Sequence, residues 1–237
     1  MKVRMLMMHF QTGMFTHGGR KFVRAMSSHV SQEVTFPVPW GVISGKEWTN
    51  ESFDKARDTQ WIVLHGWLDN AGSFDSLAPL LTSASPRHSF LCLDYPGHGL
   101  SSHLPPGQMY HYLECLRYIR LVARSRGCDK FGLIGHSMGA GMSSMFAAIY
   151  PEMVEALVMI DIVKPVGRKT EDMLQKTRES IDLFLTIEDK KSKGEKVYAS
   201  EEEAFKRLQD GARYDWLLLV ASSMSCVQDR AGRGLRD

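Results

Sequence analysis

Ser137 stands at the centre of Gly135-His136-Ser137-Met138-Gly139, between the apolar run Phe131-Gly132-Leu133-Ile134 and a small-residue stretch over 138–149. A serine hydroxyl is a weak nucleophile: it needs exposure, a base to take its proton and a site for the negative oxygen that its attack creates. A strand–Gly-x-Ser-x-Gly–helix turn supplies the first and part of the last. It forces the serine into a strained backbone conformation, and the flanking glycines leave room for the turn. The serine then sits at a helix N-terminus, where free N–H groups favour negative charge. The chemistry this points to is acyl transfer through a covalent serine intermediate.

His65-Gly66-Trp67 follows another apolar run, Gln60-Trp61-Ile62-Val63-Leu64. In an elbow of this kind a second oxyanion donor comes from such a loop, so the backbone N–H groups of Trp67 and Met138 are the expected pair. The Trp67 side chain can serve separately as a core aromatic. Asp161 ends the apolar segment 154–163 and is the candidate acid, although a strand-end aspartate also caps loops. Asp94 reads as a structural loop residue, and His65, His136 and His98 read as histidines bonded to backbone. Where the elbow is catalytic, the acid and then the histidine follow the serine in the chain. All nine histidines lie at or before His136, so no candidate catalytic histidine is found after Ser137.

The elements that must position these residues alternate. Two antiparallel strands, 34–40 and 41–44, are expected to turn at Trp40-Gly41, with Pro37 and Pro39 confining the first to an edge. Buried parallel strands follow at 60–64, 89–94, 131–134 and 154–163, with a polar loop over 50–59. Helices are expected at 73–81, at 109–126 with Gly127 as C-cap, and at 138–149. Alternation of this sort argues an α/β class with a mostly parallel sheet and helices on both faces. From 164 to about 213 the texture changes to charged helices, one starting at Thr170 and another at the capping box Ser200-Glu201-Glu202-Glu203.

Composition bounds the partners. With 237 residues, 43% of them hydrophobic, the chain can bury one sizeable core. A net charge of +2 gives no footprint for nucleic acid or an anionic surface. No apolar run approaches the roughly 18 residues of a membrane span. Cys92, Cys115, Cys128 and Cys226 lack metal-binding spacing and read as free thiols of a reducing compartment, so neither metal nor other cofactor is expected. Residues 1–32 are basic and lack acids, which reads as a disordered leader or a mitochondrial transit segment. An intracellular location is expected, cytoplasmic first and mitochondrial second.

Three strings together carry a resemblance. His65-Gly66-Trp67-Leu68-Asp69-Asn70-Ala71-Gly72-Ser73-Phe74-Asp75, Asp94-Tyr95-Pro96-Gly97-His98-Gly99-Leu100-Ser101-Ser102-His103 and the elbow resemble the serine hydrolase-like proteins of the α/β-hydrolase superfamily. The resemblance covers about residues 33–210. It implies an α/β-hydrolase fold, an eight-stranded and mostly parallel sheet with a helical cap inserted after the sixth strand. It also implies Ser137 as nucleophile toward a small-molecule acyl substrate of ester or thioester type.

On that basis the chain divides into a leader over 1–32, a core over 33–163, a cap over 164–213 and an atypical tail over 214–237. The tail departs from the family where the last two strands, the acid and the histidine are expected, as a read-through or spliced end would. A chain without that base is expected to turn over weakly or not at all, as a serine hydrolase deprived of its base, a ligand-binding pseudoenzyme or a non-functional splice product. The strand over 154–163 would then form an open edge and favour self-association.

Overall fold

The computed structural model describes residues 29–111, 113–162 and 170–191, together with Ser200 and Glu203. Its centre is a six-stranded sheet. Strand β1 (His29–Val38) and strand β2 (Gly41–Asn50) form an antiparallel hairpin in register from His29↔Asn50 to Val38↔Gly41. Strand β3 (Thr59–Leu64), strand β4 (His88–Leu93), strand β5 (Phe131–His136) and strand β6 (Val154–Ile160) run parallel, and the order across the sheet is β1-β2-β4-β3-β5-β6.

The hairpin is longer than the alternation over 34–44 implies. β1 takes in His29–Gln32, four positions expected in the leader, because β2 runs on to Asn50 and supplies partners for them. The rest of the proposed leader, the segments 163–169 and 192–199, and the tail lie outside the described residues. Pro37 sits in β1, at the sheet's edge, where its missing donor does no harm.

The apolar runs are buried from both sides. On one face Ile62, Leu64, Leu91, Leu93 and Leu133 pack against helix α2 (Glu114–Arg126) and helix α3 (Met138–Ile149) through Leu116, Ile119, Val122, Met142 and Phe146. On the other, Val63, Phe90, Cys92 and Ile134 meet Phe74 of a 3-10 turn (Ala71–Phe74) and Ala78 of helix α1 (Ala78–Ala84). Successive residues of one strand thus serve opposite cores, which is why these strands read as continuous hydrophobic runs instead of alternating ones. Each large side chain removed from water in this way contributes roughly 1.5–3 kcal/mol.

Three boundaries differ from the sequence pattern. Pro79 occupies the first turn of α1, so the stretch 73–81 splits into a 3-10 turn and a separate helix. The helix expected over 109–126 starts at Glu114, since the preceding residues form a loop closed by the Tyr110 hydroxyl against the Leu104 N–H at 3.0 Å. β6 stops at Ile160 because Asp161 takes the left-handed region, φ 78°. Gly127 caps α2 at φ 67° as its position implies.

Helix α4 (Thr170–Lys191) follows β6. Among the described residues β6 is the last strand of the sheet, and no helix is long and apolar enough to cross a membrane. Cys92, Cys115 and Cys128 are buried free thiols. Burial raises all three, holding Cys115 up at about 12.

Candidate active site

The elbow forms where β5 hands over to α3. Ser137 adopts φ 49° and ψ −112°, a conformation that side chains rarely take and that typically costs about 1–3 kcal/mol. Packing holds it there. The Ser137 N–H donates to the Ile160 carbonyl at 3.0 Å, and the Ser137 carbonyl accepts from the Ala140 and Gly141 N–H groups at 3.0 and 3.1 Å. A Cβ on Gly135 would lie 2.3 Å from the Gly139 carbonyl oxygen, and one on Gly139 would lie 2.2 Å from that of Leu64. Only glycine fits at either position.

This geometry leaves the hydroxyl available. Ser137 is half-buried, and its side chain makes no capping bond to α3, nor any other hydrogen bond among the described residues. The His65-Gly66-Trp67 loop lies beside it: a Cβ on Gly66 would stand 2.9 Å from His136 Nδ1 and 3.6 Å from Ser137 Cβ. The backbone N–H groups of Trp67 and Met138 have no partner among the described residues. Two unspent donors thus lie on the two segments that flank the hydroxyl, an arrangement able to receive an oxyanion.

Histidine and aspartate build the floor of this loop. His65 is fully buried, and its Nε2 accepts from the Tyr95 N–H at 3.3 Å. The proton is therefore assigned to Nδ1, which donates to the Gly66 carbonyl at 2.7 Å. Burial, reinforced by the neighbouring His98, pushes His65 down to about 3. His98 bonds the Pro96 carbonyl through Nδ1 at 3.2 Å and is pushed down to about 4, again chiefly by burial. The two rings lie 5.1 Å apart, with Trp67 6.1 Å from His98. Both imidazoles are neutral struts.

Asp94 is the second fastening. Its carboxylate accepts from the Ala71 N–H at 2.7 Å and the Leu100 N–H at 2.9 Å, binding the loops that follow β3 and β4 to one strand end. Burial raises its carboxyl above the ordinary range. The structural role read for Asp94 and the backbone bonds read for His65 and His98 are therefore present. His136 differs: it is half-buried, with its ring against Gly66 and no hydrogen bond among the described residues. It fills the gap that the absent Gly66 side chain leaves.

Asp161 is exposed, one residue beyond the carbonyl that fastens Ser137. Its carboxylate has no histidine partner among the described residues. Nor does any described histidine bond Ser137, so the structure brings the Gly66 loop against the elbow and places no imidazole at the hydroxyl among the described residues. The close approach of Gly66 to the elbow was not among the expected features; the only sequence signal for it is a glycine between two bulky rings. No group of His, Cys, Asp or Glu able to hold a metal ion occurs among the described residues.

The family model for the alpha/beta hydrolase fold matches residues 62–207, from β3 through the elbow and beyond α4. A serine hydrolase-like protein of Homo sapiens is 35% identical over 66% of this chain and 74% of its own length. The chain belongs to the α/β-hydrolase family, among its serine hydrolase-like proteins. A serine hydrolase-like protein of Danio rerio is 33% identical over 90% of this chain and 62% of its own length. The crystal structure of a hypothetical protein from Pseudomonas aeruginosa PAO1 superposes with a TM-score of 0.63 at 31% identity, covering 80% of this chain and 64% of that one. This hydrolase-fold chain spans about half to three quarters of the length of the curated relatives it matches.

Proposed function

We propose that Ser137 is the nucleophile of an acyl-transfer reaction on a small ester- or thioester-like substrate, with the Trp67 and Met138 N–H groups as its oxyanion hole. The carrying observation is the strained, half-exposed Ser137 beside two backbone donors that have no partner among the described residues. In the reaction, Ser137 Oγ bonds to the substrate carbonyl carbon and passes its proton to a solvent hydroxide, forming water, while the carbonyl electrons move onto oxygen between the two donors. Collapse breaks the bond to the alcohol or thiol, which takes a proton from solvent water as it leaves, and a second water then breaks the acyl–Oγ bond, releasing the acid and restoring the Ser137 hydroxyl. Each oxyanion donor contributes about 10²–10³ in rate. No cofactor takes part, and α4 is the natural first helix of a cap over this end of the sheet.

The base is the open position. No histidine follows Ser137 in the sequence, and no described histidine reaches it. A serine hydrolase without its base keeps about 10³–10⁴ over water from oxyanion stabilisation and binding. Asp161 is the proposed acid, one that would act only through a histidine. That no described histidine reaches Ser137 favours a second reading, a ligand-binding pseudoenzyme that keeps the pocket without the chemistry. The outer edge of β6, uncovered among the described residues, is the proposed surface for self-association.

A fluorophosphonate probe followed by peptide mass mapping tests the assignment. Adduct on Ser137, abolished in Ser137→Ala, supports the nucleophile. Adduct undiminished in that variant, or none on a longer form carrying a downstream histidine, would remove it.

A further inference from the structure

A cavity of about 420 Å³ lies away from the elbow, between the β1–β2 turn and the start of α2. Its walls include Trp40, Leu104, Met109, His111, Glu114 and Arg117. Its volume falls in the range of small-ligand sites. β2 and β5 are separated by β4 and β3, three strand spacings or roughly 14 Å, so this is not the acyl position at Ser137.

The cationic wall is the exposed but partnered guanidinium of Arg117. Arg117 Nη2 donates to Glu114 Oε2 at 2.7 Å and to the Tyr118 hydroxyl at 2.9 Å. Its guanidinium lies 4.9 Å over the Tyr118 ring, and Tyr118 meets Trp40 edge-on at 6.0 Å. Nε and Nη1 have no partner among the described residues, so one edge of the planar fork is unspent. His111 accepts the Leu113 N–H at Nδ1, 3.2 Å, which places its ring proton on Nε2 as a further donor. The positive end of the 13-residue helix α2 adds to the same side.

The opposite wall is apolar and also built. The Tyr110 hydroxyl bridges His103 Nδ1 at 2.9 Å and the Leu104 N–H at 3.0 Å, closing the loop that carries Leu104 and Met109. Trp40 is half-buried and packs on the main core.

We propose that this cavity is a second ligand site, for a small carboxylate with an apolar body: the acid pairs with the free edge of Arg117 and with His111, and the body lies against Trp40, Leu104 and Met109. The site does not depend on the chemistry at Ser137. Glu114 both orients the guanidinium and competes with the ligand, which sets a modest affinity.

Titration calorimetry of the full chain with 4-phenylbutyrate, and with the neutral 4-phenylbutanamide as control, tests it. Saturable binding of the acid at least tenfold tighter than the amide is expected, unchanged in Ser137→Ala. Arg117→Gln should weaken the acid roughly tenfold and leave the amide unaffected. Glu114→Gln, a milder change, should tighten it. Equal binding of acid and amide, loss of binding in Ser137→Ala, no saturation, or no response to either substitution in variants with wild-type circular dichroism would overturn the proposal.

Discussion

The backbone N–H of Ser137 is bonded to the carbonyl of Ile160 at 3.0 Å, so the Gly-x-Ser-x-Gly elbow is fastened to the last residue of β6. β5 and β6 are already paired from Phe131↔Val154 to His136↔Ile160, and this bond extends the contact one step past the ladder. The strain at φ 49° is held by that bond, by the first turn of α3 and by the glycine contacts on either side.

Relief of that strain should be measurable. Ser137→Gly removes the side chain that disfavours this conformation and is expected to raise the unfolding free energy by about 1 kcal/mol, seen as a higher urea midpoint. The same variant should lose fluorophosphonate labelling. A lower midpoint would mean that the elbow is not strained.

Gly139 has the opposite expectation. Gly139→Ala places a methyl group 2.2 Å from the Leu64 carbonyl oxygen, against backbone that cannot yield. A loss of at least about 2 kcal/mol is expected, in the range for overpacked sites. Gly66→Ala meets the His136 ring at 2.9 Å, which can rotate, so its stability loss should be smaller while labelling of Ser137 slows. Calorimetry and labelling rates on the two variants separate these outcomes.

Arg126 and Glu47 form a buried ion pair, with Arg126 Nη1 to Glu47 Oε2 at 3.2 Å, Nη2 to Oε1, and Arg126 Nε to Gln60 Oε1 at 3.0 Å. Gln32 in β1 donates to the same carboxylate at 3.2 Å, so the network ties β1, β2, β3 and α2 together. Arg126→Met alone leaves a buried carboxylate without its partner and should cost about 3–5 kcal/mol. Adding Glu47→Leu should recover most of that loss. A double-mutant cycle in urea tests this, and additive losses would contradict it.

Stability should fall on mild acidification. The folded state holds His65 near 3 and His98 near 4, below the 6.5 of the unfolded chain, and lowers His88 as well, so the unfolded state binds more protons below pH 6.5. The full contribution is present above pH 6.5 and is lost as pH drops toward 4, at up to about 1.4 kcal/mol per pH unit for each fully buried ring. Asp94, raised by burial, acts in the opposite direction at the acid end and makes the decline shallower there. Urea midpoints at pH 7, 6 and 5 should decrease in that order; a flat profile would contradict buried neutral histidines.

The parts of this fold that read directly from sequence are those fixed by local chemistry. The buried runs at β3 to β6, the Gly-x-Ser-x-Gly turn and the Gly127 cap each carry their own pattern, and each lies where its residues place it. What could not be read was set by contacts between distant segments. His29–Gln32 joins a strand only because β2 extends far enough to pair with it. Met109–His111 is loop and not the helix start because the Tyr110 hydroxyl reaches back to the Leu104 N–H. At the site, the elbow was legible because its geometry is encoded in five residues, whereas the approach of Gly66 and the exposed placement of Asp161 depend on how β3 and β6 flank β5.

That no described histidine reaches Ser137 is tested most directly by the pH dependence of fluorophosphonate labelling at Ser137, followed by intact mass on this 237-residue chain. Slow labelling at Ser137 alone, its rate rising steadily with pH from 6 to 9 and not levelling, is the expected result, because hydroxide and not an imidazole would take the proton. Rapid labelling that levels off near neutral pH would reveal a titrating base at the elbow and contradict the reading.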